Sequence, residues 1–82
     1  MRNTSLQAFQ QLTHLNDKQQ SVLVYINGHP DCTDKDIAEG LDWAINRVTP
    51  RRGELENLGL IISSGYRLQD KRKAHTWRIK RQ

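Results

Sequence analysis

The chain has 82 residues, of which 35% are hydrophobic and 27% charged, and its formal net charge is +4. A chain this short forms one domain with no room for a deep catalytic cavity between layers, and no stretch reaches the roughly 18 apolar residues of a membrane span. A single cysteine, Cys32, leaves no internal disulfide, and Met1 to Ser5 lack an apolar signal core, so a cytoplasmic binding module without catalytic residues or cofactor is expected.

Leu6, Phe9 and Leu12 recur at a spacing of three, which predicts a short amphipathic helix over 5–14 in an N-terminal extension, 1–15, ahead of a domain spanning 16–82. A helix that short is marginal alone, so it packs on its own domain or, as the alternative, against a second copy in a homodimer. Asn16 and Gln19 have capping-box spacing, Val22, Leu23 and Ile26 form the inward face of the helix they open, and Gly28 with Pro30 ends it. Thr33 offers a hydroxyl N-cap to a further helix with Ile37, Ala38 and Leu41 on one apolar face. Trp43 follows in a turn, where an indole covers the junction between helices. Thr49-Pro50 marks the next helix start, because proline at the first helical position lacks only an N–H that has no partner there. Val48 leads into that helix, Leu55 and Leu58 carry its buried stripe, and Gly59 supplies the left-handed residue that stops it. Leu60 to Ser63 and His75 to Ile79 read as strands, with Trp77 packed beneath and Arg78 in solvent, joined by an exposed polar loop from Ser64 to Ala74. The fold class is α+β: a three-helix core with a C-terminal β-hairpin and an additional short N-terminal helix.

Thr33, Ile37, Ala38, Leu41, Trp43, Ile45, Asn46, Arg47, Val48, Thr49, Arg51, Glu54, Leu55, Gly59, Leu60 and Ile61, with Trp77 beyond a basic segment, carry a resemblance. Together they resemble the winged helix-turn-helix domain of small prophage-type winged-helix proteins, over roughly residues 17 to 80. The resemblance implies a winged-helix fold, double-stranded DNA as partner, and a transcriptional regulator or accessory factor of a prophage or bacterium. Two positions depart from it. Asp42 stands where glycine is often found, at a turn whose left-handed conformation aspartate tolerates moderately well. Arg52 stands where many of the resembling proteins carry an aliphatic residue.

Charge is distributed unevenly. Residues 1 to 45 carry three basic against six acidic side chains, and residues 46 to 82 carry ten against three. The basic half coincides with the second helix of the motif and the wing, where a DNA reader must neutralise phosphates. The N-terminal residues of that helix nominate Asn46, Arg47, Thr49, Arg51 and Arg52, since arginine can bind guanine and asparagine adenine, and either can fix a phosphate. Gly53 and Asn57 face outward, and the wing adds Arg67, Lys71, Arg72 and Lys73. On a helical wheel Arg51 and Arg52 flank the direction of Leu55, so their bland reading is packed stems with guanidiniums paired to Glu54, Glu39 or Asp42.

The rival to DNA binding is a protein-interaction winged helix that uses the acidic half, the N-terminal helix or Trp43. A continuous basic face from Asn46 to the wing supports DNA, whereas interruption by Asp34, Asp36 or Glu39 favours a protein partner. RNA ranks third, because no aromatic platform for single strands is visible. His29 and Cys32 are spaced like half of a zinc pair, but four ligands are not available.

Overall fold

Two reciprocal caps fix where the first helices begin. The computed structural model describes residues 15–80, so the helix expected over 5–14 lies outside the described residues. Helix α1 (Asp17–Gly28) opens on Asn16, whose side chain accepts from the Gln19 N–H at 2.8 Å while the Gln19 side chain accepts from the Asn16 N–H at 3.0 Å. Helix α2 (Asp34–Leu41) repeats the device: the Asp36 N–H donates to Thr33 Oγ1 and the Thr33 N–H to Asp36 Oδ2, both at 3.1 Å. Each box satisfies two N–H groups that a helix start leaves without partners. At the far end of α2, Asp42 adopts the left-handed conformation with φ 59°, and the Trp43 N–H reaches back to the Ala38 carbonyl at 2.9 Å. Aspartate thus fills the turn in place of glycine.

Helix α3 (Ile45–Asn57) starts four residues before the expected Thr49. Ala44 is its N-cap and supplies no side-chain bond, so Thr49 caps nothing and Pro50 lies inside the helix. An interior proline costs a helix about 3 kcal/mol and removes the donor that the carbonyl four residues back would receive, here that of Asn46. Tertiary packing outweighs that local cost: Val48, on the N-terminal side of the proline, is fully buried, as is Leu55 on the other side. The helix ends as expected. Gly59 has φ 78°, its N–H donates to the Glu56 carbonyl at 3.0 Å, and the Leu60 N–H donates to the Leu55 carbonyl at 3.1 Å, the paired bonds of a Schellman stop. Leu58, expected in the buried stripe, is half exposed because the stop turns it away from the core.

Strands β1 (Ile61–Gln69) and β2 (Arg72–Ile79) form one antiparallel ribbon, in register from Ile61↔Ile79 to Gln69↔Arg72. The expected loop from 64 to 74 is therefore mostly strand. Its turn is only Asp70-Lys71, both at positive φ (51° and 65°), the two-residue geometry that matches strand twist. The polar composition of this stretch reflects a ribbon that stands off the core with both faces wet, where alternation carries no signal. A bulge between Ser63 and Gly65 shifts the pairing, so Thr76 and Trp77 are buried side by side while His75 is exposed. Buried Thr76 is satisfied by Ser64, whose hydroxyl lies 2.7 Å from Thr76 Oγ1.

The ribbon is fastened to the segment between α1 and α2 by an isolated β-bridge between Cys32 and Trp77. The Asp31 N–H donates to the Trp77 carbonyl at 2.9 Å, and the Trp77 N–H to the Cys32 carbonyl at 2.8 Å. All five elements contribute to one core, represented by Leu23, Ile37, Val48, Leu55, Ile61 and Trp77. Three helices followed by an antiparallel hairpin are compatible with a winged helix, and among the described residues no helix is long and apolar enough to cross a membrane.

The position of Pro50 gives a test. Pro50→Ala restores an N–H to the Asn46 carbonyl and is expected to raise unfolding stability by about 1 to 3 kcal/mol. Urea denaturation checks it. A helix that really began at Thr49 would instead gain nothing, since proline at a first helical position carries no such cost.

Candidate nucleic-acid interface

Helix α3 presents Val48 and Leu55 to the core, which at about 100° per residue turns Asn46, Gly53 and Asn57 to the opposite side. Asn46, Arg47 and Asn57 are exposed, and a Cβ built on Gly53 meets nothing within 4 Å. The outward face is thus short, amide-bearing and uncharged, with Arg47 on its flank.

The remaining arginines of this helix are engaged by acids. Arg52 Nε and Nη2 donate to the two oxygens of Asp34 at 2.9 and 3.0 Å, Nη1 donates to Glu56 at 3.1 Å, and the guanidinium lies 4.3 Å from the Trp77 ring centroid. Its side chain is only 17% exposed. This group is a structural tie between α3, the start of α2 and β2, and its guanidinium is engaged by carboxylates. The Thr49 hydroxyl donates to the same Asp34 carboxylate at 3.3 Å, so Thr49 too is turned toward α2. Arg51 donates to Glu54 at 3.0 Å, and Glu54 also accepts from Gln19 at 2.8 Å. The expected pairing of Arg51 with Glu54 holds. Arg52 takes Asp34 and Glu56 instead of Glu39 or Asp42.

A second acid intercepts the ribbon. Asp36, already the capping residue for Thr33, accepts from Arg67 Nη2 and from Gln69 Nε2, the latter at 3.1 Å. Burial pushes the Asp36 carboxyl up, but the Thr33 N–H, the Arg67 guanidinium and the Gln69 amide outweigh it and hold its pKa below the ordinary value of 3.8. Arg67 is therefore a tether from β1 to α2. Lys35 and Asp70 pair at 2.6 Å, an exposed contact of little energetic consequence.

What remains uncommitted is concentrated at the ribbon's turn. Lys71, Arg72 and Lys73 are exposed and make no salt bridge among the described residues. Between this end and the first turn of α3 lies a groove of about 550 Å³, whose lining includes Ile45 and Arg52 on the helix side and Arg72, Lys73, His75 and Trp77 on the ribbon side. The nominated residues thus divide. Asn46, Arg47 and Asn57 lie on the exposed helix, Lys71, Arg72 and Lys73 on the exposed ribbon, and Thr49, Arg51, Arg52 and Arg67 are held by carboxylates. Asp34 lines the groove between the two exposed groups and interrupts the basic face there, whereas Asp36 lies beside Cys32, Glu39 and Arg67.

His75 and Leu68 carry no local signal in the sequence. Pairing across the ribbon, which linear sequence does not display, places His75 opposite Tyr66 and Leu68 opposite Lys73. The Cys32 thiol is buried and pushed up to about 11, chiefly by that burial, and no group of His, Cys, Asp and Glu able to hold a metal occurs among the described residues. No known protein family, characterised protein or solved structure matches the chain.

Two outcomes follow from the acid pairs. Arg52→Ala leaves Asp34 partly buried without its partner and is expected to cost about 2 kcal/mol or more of unfolding stability, measurable in urea. Because the folded-state pKa of Asp36 is lowered, its contribution is present above the ordinary value of 3.8 and is lost as pH falls through the folded pKa. Urea midpoints between about pH 2 and 6 should fall with acidification, and less so in Asp36→Asn.

Proposed function

We propose that this chain is a winged helix-turn-helix protein that binds double-stranded DNA, as a cytoplasmic transcriptional regulator or accessory factor of a bacterium or prophage. The observation that carries this reading is the groove lined by Ile45 and Arg52 of α3, by Asp34 and Lys35 at the start of α2, and by Arg72 and Lys73 of the ribbon, with Asn46 and Arg47 exposed next to Ile45 and Lys71 exposed next to Arg72. A major groove about 12 Å wide admits a helix, and the phosphate strand beside it then falls against a neighbouring basic element. In this reading Asn46 and Arg47 meet base edges or the first phosphates, and Asn57 and the bare Gly53 allow close approach along the helix. Lys71, Arg72 and Lys73 supply the phosphate contacts. Thr49, Arg51, Arg52 and Arg67 act indirectly, by holding helix and ribbon at a fixed separation.

A protein partner is the second reading, and one observation favours it: Asp34 neutralises Arg52 within the groove, and Asp36 takes up Arg67 of the ribbon. Fewer free cations also lower the expected salt sensitivity.

Fluorescence anisotropy of labelled duplex DNA at several salt concentrations tests the proposal. With about four phosphates neutralised, log affinity should fall with log salt at a slope near −3.6. Arg47→Ala combined with Arg72→Ala is expected to weaken binding by about ten-fold or more and to make the slope shallower by nearly two, with the urea midpoint unchanged. Absence of binding at low salt would remove the DNA reading and leave the protein-partner one.

A further inference from the structure

The ribbon has two unlike faces. Arg67 and Gln69 of β1 reach Asp36 on α2, so the face that bears them is turned to the helices. Strand alternation then puts Tyr66 and Leu68 on the other face, with His75 and Lys73 opposite them. Leu68 is 73% and Tyr66 64% exposed, the two largest exposures among the big hydrophobic side chains described. Single exposed apolar residues need no explanation, but here two adjoin on one face beside three unpaired cations.

The chemistry of this face is specific. Tyr66 and His75 have ring centroids 4.6 Å apart, and His75 lies 5.7 Å from Trp77, so a row of rings runs from the outer ribbon down to the groove beside α3. Lys73 Nζ stands 5.8 Å from the Tyr66 ring centroid. Flat rings flanked by lysines suit a ligand that is itself flat and carried on a polyanion. An unpaired nucleobase on its phosphate strand has both properties, and stacking on an aromatic ring accepts any base because every base has a π-face.

We propose that the outer face of the ribbon, formed by Tyr66, Leu68, Lys73 and His75, is a stacking site for an unpaired base next to a duplex bound against α3. The inference rests on the DNA-binding reading and deepens it. A base displaced from the duplex at the groove edge meets His75 and then Tyr66, while Lys71 and Lys73 hold its phosphates and Leu68 covers its outer edge. The protein then discriminates in favour of duplexes that carry an unpaired segment, through contacts that a continuous duplex does not engage.

The test compares three labelled probes by anisotropy with the full chain: a continuous duplex, the same duplex with a three-thymine bulge, and the same duplex with a thymine overhang. The expected result is binding to all three, with the bulged or overhung probe about ten-fold tighter, and loss of that preference in Tyr66→Ala while affinity for the continuous duplex stays within about two-fold. Tyr66→Phe, which keeps the ring, should retain the preference. Equal affinity for the three probes overturns the stacking site and leaves DNA binding standing. A preference that survives Tyr66→Ala also overturns it. Failure to bind any probe at low salt overturns both readings, and Tyr66-dependent binding to anionic lipid vesicles in place of DNA would assign this face to a membrane surface.

Discussion

The carboxylate of Asp34 is the point on which the arrangement of helix and ribbon depends. It sits in the first turn of α2, where a negative charge complements the free N–H groups and the helix dipole. From there it takes two hydrogen bonds from Arg52 and one from Thr49, and Arg52 in turn lies across the Trp77 ring. One acid thus joins α2, α3 and β2. The pair is only partly exposed, 17% for Arg52 and 19% for Asp34, so its attraction is less screened than that of a surface pair, and the planar guanidinium fits both carboxylate oxygens at once. Lysine could not replace it, having neither the fork for Asp34 nor the flat face for Trp77.

The same corner of α2 anchors the ribbon through Asp36. That carboxylate caps its own helix and holds Arg67 and Gln69 of β1, so the local signal that starts α2 is also a long-range tether. Thr33, Asp34 and Asp36 therefore do two jobs with one short segment. Net charge alone misleads here. The basic half of the chain suggests a broad positive face, yet several of its arginines are neutralised in place, and the exposed cations without a salt bridge among the described residues of that half are Arg47, the three near the ribbon's turn, Arg78 and Lys80.

Much of the framework was legible in the sequence because its signals are local. Asn16 with Gln19, Thr33, and Gly59 fix element ends through bonds to residues three to five positions away, and all three behave as read. Asp42 in the left-handed turn is of the same kind. What was not legible depended on tertiary partners. Thr49-Pro50 has the local look of a helix start, but burial of Val48 extends the helix back to Ile45 through the proline. The ribbon over 64–74 was hidden because a strand wet on both faces has no hydrophobic alternation, and its Asp70-Lys71 turn lacks the usual glycine. The acid partners of Arg52 and Arg67 were hidden for a related reason. Their acids lie 18 and 31 residues away in the chain, beyond any local pattern.

Under the proposed function, these constraints shape how the protein would read a nucleic acid. The outward face of α3 offers amides and a glycine and little charge, so it can lie close to a polyanion but draws little affinity from it. Attraction comes from the ribbon, whose cations repel one another in the free protein and gain most when phosphates arrive. A ribbon tethered at Asp36 and at Trp77 cannot swing freely to find those phosphates. Its reach is set by the acid pairs at the start of α2, which makes the carboxylates that interrupt the basic face also the groups that determine where its two halves stand.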